Sequence, residues 1–265
     1  MYCAGRLASR QLHGIGIWNI GSALRLSTTA AMCTRGSDAT DRFFARLGDA
    51  PPVDSLDSTS IATIAQRLSH ASNQGIPSHL RFTQAAHSPS NAAVLLLLCT
   101  VNGQPSVLFE ERSGRLNTHG GEVCFPGGKA DDMDGESLEA TALRETWEEV
   151  GLPGERIRVL GGIPPVPDRS GRLRVHTVVG VLQGELDLQA LQVNREEVER
   201  AFVLPLGWFY RADVREAVRF RGTRWIPQYR SDRDGLVIWG LTAFILHEFL
   251  CRIAKSPSVI KRQEK

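Results

Sequence analysis

The sequence has 265 residues, 42% of them hydrophobic and 23% charged. That is ordinary globular composition, with enough apolar material for a sizeable core in one or two domains, and it excludes a low-complexity or fibrous chain. The formal charge of +2 conceals an asymmetry: residues 1–37 hold Arg6, Arg10, Arg25 and Arg35 but no lysine and no acid, so 31 − 4 = 27 basic residues face 29 acidic ones in the remainder, or −2. The basic excess belongs to the N-terminus, and neither nucleic acid nor membrane is expected as a partner.

The N-terminal stretch is rich in Arg, Ser, Thr and small residues. This is the composition of a mitochondrial transit peptide, which the membrane potential draws inward. A secretory signal fits less well, because the apolar run Ile15–Ile20 is short, interrupted by Gly16 and followed by Arg25. A tail with no address is the third reading. The expected division is a transit peptide over residues 1–40, a helical N-terminal extension over 41–90, the main domain over 91–255 and a loose tail over 256–265, in the mitochondrial matrix. Cys3, Cys33, Cys99, Cys124 and Cys251 are odd in number and form no CxxC pair, so reduced thiols are expected, not a disulfide framework or zinc knuckle.

Residues 58–70 carry Ile61, Ile64, Ala65 and Leu68 at the spacing of an amphipathic helix. "AAVLLLLCT" and "PSVLFEER" predict two buried strands around a turn at Asn102-Gly103. A long glycine-containing loop follows, then a helix from about Ser137 to Val150 that Gly151 stops in a left-handed cap. "RIRVLGGI" and "RVHTVVGVL" predict strands with "PPVPDRSGR" as a loop between them, "AFVLPL" and "LVIWG" predict short strands, and "LTAFILHEFLCRIAK" a closing helix. Both long apolar runs fall short of the roughly 18 residues that span a bilayer. Strands with few helices, outside strict βαβ alternation, predict an α+β fold with a sheet packed between helices.

The helix at 137–150 is chemically odd. At about 100° per residue, Glu145, Glu148 and Glu149 project to one side, and Leu143, Trp147 and Val150, with Ala140 nearby, to the other. Like charges at this spacing cost a few tenths of a kcal/mol per pair, more where partly desolvated. Arg144 can pair with Glu148, but one cation does not neutralise three carboxylates. A solvated face explains most acid runs. A divalent cation explains this one together with the upstream pair Gly127-Gly128: carboxylates suit Mg²⁺ or Mn²⁺, which keep waters and take phosphate oxygens as further ligands.

"RETWEEVG" with that glycine pair resembles the Nudix box: G, five residues, E, seven residues, then R-E-U-x-E-E-x-G-U with U apolar. Arg144, Glu145, Glu148, Glu149, Gly151 and Leu152 fit, with Thr146 at the first U position. Glu136 stands at the right distance from Arg144, but Asp134 is the residue at five-residue spacing from Gly128. "VLFEERSGRLNTHGGEVCFPGGKADDMD" is similar to the segment that precedes the box in the coenzyme A diphosphatase branch, through Leu108, Arg112, Ser113, Gly121, Phe125, Pro126, Gly127 and Gly128, with Asp131 and Asp134 matching its D-x-x-D. Asn117 stands where that branch has an arginine, with Arg115 two residues away. "NREEVERAFVLPL" and "IWGLTAFIL" resemble later segments of the branch, so the likeness covers about residues 90–253.

The resemblance implies a Nudix-type α/β/α sandwich with a mixed central β-sheet. It also implies hydrolysis of the diphosphate of coenzyme A or acyl-CoA to 3′,5′-ADP and (acyl-)4′-phosphopantetheine, with Mg²⁺ or Mn²⁺. Glu145, Glu148, Glu149 and the Gly128 carbonyl are the implied metal ligands, and Glu145 and Glu149, with Arg144 orienting them, the implied catalytic group. A loop glutamate, Glu196 or Glu197, is a rival proton acceptor, or else a surface charge opening a helix near Asn194. Arg112, Arg115, Lys129 and Arg174, with Arg172, are candidates for the substrate phosphates. His119 and His176 read as structural or solvent-facing. Two alternatives stay open: a Nudix enzyme for ADP-ribose, dinucleotides or oxidised nucleotides, for which Pro167 is a slight pointer, and a Nudix-fold binding module without catalysis.

Overall fold

The computed structural model describes residues 38–48, 50–72, 90–116, 118–131, 134–135, 137–168, 172–220, 224–232 and 235–254. The expected transit peptide through residue 37, the tail from 256, and the positions of Asn117 and Glu136 lie outside the described residues. In chain order come helices α1 (Asp38–Phe44) and α2 (Ser58–Ser72), then strands β1 (Ser90–Val101), β2 (Gln104–Arg112), β3 (Val123–Cys124) and β4 (Gly127–Lys129). Helix α3 (Leu138–Val150) separates these from β5 (Ile157–Pro167), β6 (Leu173–Glu185) and β7 (Val198–Pro205), and β8 (Arg215–Phe220), β9 (Arg224–Ser231), β10 (Leu236–Ile238) and α4 (Gly240–Ile253) close the fold.

Strand β1 organises the main sheet. It pairs parallel with β6 and antiparallel with β2 and β4, which makes the sheet mixed as expected. Alternation along β1 divides the core in two: Leu96 and Leu98 pack among side chains of α2 and α4, Leu95, Leu97 and Cys99 among those of α3. Phe44, Leu47, Ile64 and Leu68 enter the first cluster, so the N-terminal helices share the core of the sheet they cover. Asn102 and Gly103 both have positive φ, 50° and 74°, as a two-residue hairpin turn requires.

The hairpin is only partly zipped. Leu98–Val101 pair with Gln104–Val107, and beyond that the strands diverge. The other edge of β2 is taken by β7 and the other edge of β1 by β6, so the glycine-rich segment enters the fork, β3 pairing with β2 and β4 with β1. The two glycines expected in a loop therefore lie within the sheet.

Three further readings need correction. Strand β5 runs on through the prolines of "PPVP" to Pro167; it is an edge strand and its register shifts between Ile163 and Val166, where missing N–H donors break no interior ladder. Asn194 opens a turn, not a helix, its carbonyl accepting from Glu197 and Val198. Strands β8 and β9, which form a small sheet with β10, were not anticipated, because arginines interrupt their apolar pattern.

Candidate active site

Helix α3 begins at Ser137, whose side chain accepts from the Ala140 N–H, and ends at Gly151 with φ 70°. A polar N-cap is worth about 1 kcal/mol. Its buried residues are Thr141, Ala142, Thr146, Glu149 and Val150, while Trp147 is 52% exposed. This corrects the expected orientation, in which Trp147 lay on the core face. Small side chains let the helix approach the sheet closely, where an indole does not fit, and Thr146 satisfies its hydroxyl by donating to the Ala142 carbonyl at 2.7 Å. The acid face is thereby split: Glu149 is 2% exposed and Glu145 is turned inward, whereas the Glu148 side chain is 49% exposed.

Glu149 is anchored from the fork. The Gly127 N–H donates to its Oε2 at 2.8 Å, and Arg112 Nη1 stands 3.9 Å from its Oε1. Gly128, opposite Ala93 on β1, lies against Glu145: a Cβ added there would fall 2.4 Å from the Glu145 carboxyl carbon, so only glycine lets carboxylate and backbone meet. Arg144 fastens loop to helix. Its Nε donates to Asp134 Oδ1 at 2.7 Å and its Nη2 to Oδ2 at 3.0 Å and to the Lys129 carbonyl at 3.3 Å, and its Nη1 reaches Glu145 at 2.9 Å and Glu148 at 3.0 Å. Asp134, 5% exposed in its side chain, also accepts from Thr141.

Three residues of this region were not read from the sequence as one group. Glu110 is fully buried on β2, opposite Cys124 of β3, whose thiol donates to its Oε1 at 3.2 Å. Glu197, exposed in the turn before β7, raises the proton affinity of both Glu110 and Glu145 by its charge. The signal for Glu110 was an acid two positions from Leu108 in an alternating strand, on the face that must be buried.

These carboxylates repel one another in a desolvated place. Burial, then the charge of Glu110, pushes the Glu149 carboxyl well above the usual range, against the pull of the Gly127 hydrogen bond. Burial likewise raises Glu110 and Glu145. Among the described residues no three acids are converged on one point that a metal ion could occupy. The donor set nevertheless fits a hard divalent ion: carboxylate oxygens, a glycine backbone at contact distance and excess buried negative charge.

Asp134 shows the opposite shift. The Arg144 hydrogen bonds hold its carboxyl below the ordinary 3.8. A depressed folded value contributes stability that is complete above the unfolded value and is lost as pH falls through the folded one. The melting temperature is therefore expected to drop in acid below about pH 4, and Asp134→Asn to lower it at pH 7 while flattening that acid limb; thermal melts from pH 2 to 7 check both.

The proposed phosphate-binding cations are spread around this cluster. Lys129 ends β4 and Arg174 is the second residue of β6, on either side of the start of β1, and both are exposed. By alternation Arg174 and His176 share the side of Val178, which is that of α3. Burial and the charge of Arg174 lower the pKa of His176, whose Nε2 is 3.3 Å from Asn91 Oδ1. Arg115 is exposed in the turn after β2, and Arg172, also exposed, gives its carbonyl to Ser90. His119 is solvent-facing beside Glu122. The described cysteines, Cys99, Cys124 and Cys251, are free, and among the described residues no helix is long and apolar enough to cross a membrane.

A mixed sheet between helices, with a glycine-rich strand set against an R-E-x-x-E-E helix, defines a class of diphosphate-bond hydrolases. The chain matches the NUDIX domain over residues 89–229 and belongs to the Nudix hydrolase family. It is similar to Nudix hydrolase 3 of Caenorhabditis elegans, 32% identical over 210 residues that cover 74% of this chain and 86% of the worm protein. Over 162 residues it is 41% identical to the human mitochondrial coenzyme A diphosphatase NUDT8, covering 59% of this chain and 66% of that one. The bacterial Nudix hydrolase NudL of Pectobacterium atrosepticum, whose function is uncharacterised, is 35% identical over 178 residues, covering 64% of this chain and 86% of the other.

Proposed function

We propose that this enzyme is a Mg²⁺- or Mn²⁺-dependent diphosphatase of coenzyme A or acyl-CoA, releasing 3′,5′-ADP and (acyl-)4′-phosphopantetheine. The observation that carries the reading is Glu149: a buried carboxylate, held by the Gly127 N–H and crowded by other acids, has a natural counterion in a divalent metal. The choice of substrate is supported by the likeness to the coenzyme A branch and to NUDT8.

Glu145 and Glu149 would hold the metal with the Gly128 carbonyl, and Glu148 from the solvent side. When bound, the metal neutralises the diphosphate and lowers the pKa of a water. Arg144 is a positioning residue, fixing Glu145 and Glu148 relative to the Asp134 turn. Glu145 Oε, or the carboxylate of Glu197 in the turn before β7, accepts the proton of the attacking water. Lys129, Arg174 and Arg115 meet the substrate phosphates as cations, while Arg112 screens Glu149. Residues 1–40 act as a mitochondrial transit peptide, a reading supported by their composition and by the mitochondrial designation of NUDT8.

The test is hydrolysis with Mg²⁺ or Mn²⁺ of coenzyme A, acetyl-CoA, ADP-ribose, NADH and oxidised dGTP. The expected result is 3′,5′-ADP from the coenzyme A substrates at the highest kcat/KM. Turnover of ADP-ribose far above coenzyme A overturns the substrate, and turnover of none of the panel favours a binding module.

A further inference from the structure

We propose that Glu110, outside the Nudix box and on another element, is an additional oxygen ligand for the divalent cation of this site, an inference that rests on the metal-dependent reading above. Glu110 lies in mid-strand on β2 with no exposed surface. It shares Leu108's side of the sheet, the side of α3. Its Oε1 accepts from the Cys124 thiol, a weak donor, and its Oε2 has no hydrogen-bond partner among the described residues.

A merely structural role does not account for that oxygen. Ionised, Glu110 is a buried charge among Glu145, Glu149 and Glu197, with Arg112 as the neighbouring cation. A buried charge with one oxygen left unpaired is a group that a folded interior does not tolerate without compensation. Coordination by a dication satisfies charge and lone pair together.

The connectivity places Glu110 at the site. Cys124, its partner across the β2–β3 pair, is three residues before Gly127, which donates to Glu149. Arg112, two residues further along β2, reaches the same Glu149.

The experiment is a Mn²⁺ titration of the full chain, with free Mn²⁺ read by electron paramagnetic resonance, alongside thermal melts in EDTA and in saturating Mn²⁺. Glu110→Gln keeps the volume and the acceptor for Cys124. It is expected to weaken Mn²⁺ binding by about tenfold and to shrink the Mn²⁺-induced rise in melting temperature, without lowering the melting temperature in EDTA. Unchanged Mn²⁺ affinity in Glu110→Gln, with loss in Glu149→Gln, overturns the role of Glu110 and leaves the box glutamates standing. Unchanged affinity in both variants overturns the metal site as a whole. If Glu110→Gln does not fold, Glu110→Asp carries the test: its shorter reach weakens Mn²⁺ binding if Glu110 is a ligand, and affinity equal to wild type overturns the proposal.

Discussion

Glu149→Gln is expected to lower kcat by about two to three orders of magnitude at saturating Mg²⁺ while leaving the fold intact. The substitution preserves volume, and the amide oxygen still accepts from the Gly127 N–H that now reaches Glu149 Oε2 at 2.8 Å. What disappears is a charge whose proton affinity is raised by burial and by Glu110. Removing it relieves repulsion from Glu110 and Glu145 that Arg112, at 3.9 Å, only partly offsets. In EDTA the variant should thus melt at or above the wild-type temperature, and a paired measurement of turnover and melting separates loss of chemistry from loss of structure. Full turnover in the variant would remove Glu149 from the catalytic group.

The largest effect on stability is expected from Gly127→Ala. Gly127 has φ 151°, and an added Cβ would lie 2.3 Å from the Ala93 carbonyl oxygen and 2.6 Å from the Val94 Cα. Those are backbone atoms of β1 and cannot swing aside. Relief requires separating β4 from β1, with loss of the Val94–Gly127 pairing and of the Leu95 N–H bond to the Pro126 carbonyl. Strain and overpacking together cost about 3 kcal/mol or more, a fall in melting temperature of about 6–12 °C for a domain of this size. Gly103→Ala is the control. Gly103 also has positive φ, 74°, but nothing lies within 4 Å of its Cβ position, so about 1 kcal/mol is expected. Equal losses in the two variants would mean that backbone strain, not the contact with β1, governs Gly127.

Local patterns were legible in the sequence to different degrees. The hairpin at Asn102-Gly103 and the left-handed cap at Gly151 match the expectation, and the helix starts within one residue of it, with Ser137 as its N-cap, because a two-residue turn and a helix end are determined by the residues that form them. The orientation of α3 departs from the expectation in part. Val150 is buried and Leu143 packs against the core as an apolar stripe requires, but the helix also faces the glycine strand and other carboxylates, so Thr141, Ala142, Thr146 and Glu149 are buried and Trp147 is not. The prolines of β5 lie in a strand instead of a loop for a related reason: whether proline interrupts a ladder depends on which edge is free, and edges are assigned only when strands pair.

The sequence by itself determined the chemistry on offer: a run of glutamates at helical spacing, Arg144 among them, and two glycines upstream able to bring backbone against carboxylate. Those are properties of residue type and short-range geometry, present before any long-range contact forms. Only the tertiary structure decided which of those acids is buried, that Arg144 is shared with Asp134, and that Glu110 and Glu197 join from elements distant in the chain. Burial and mutual repulsion depend on distances between segments, which follow from the forking of β1 from β2 and not from the order of residues along either strand.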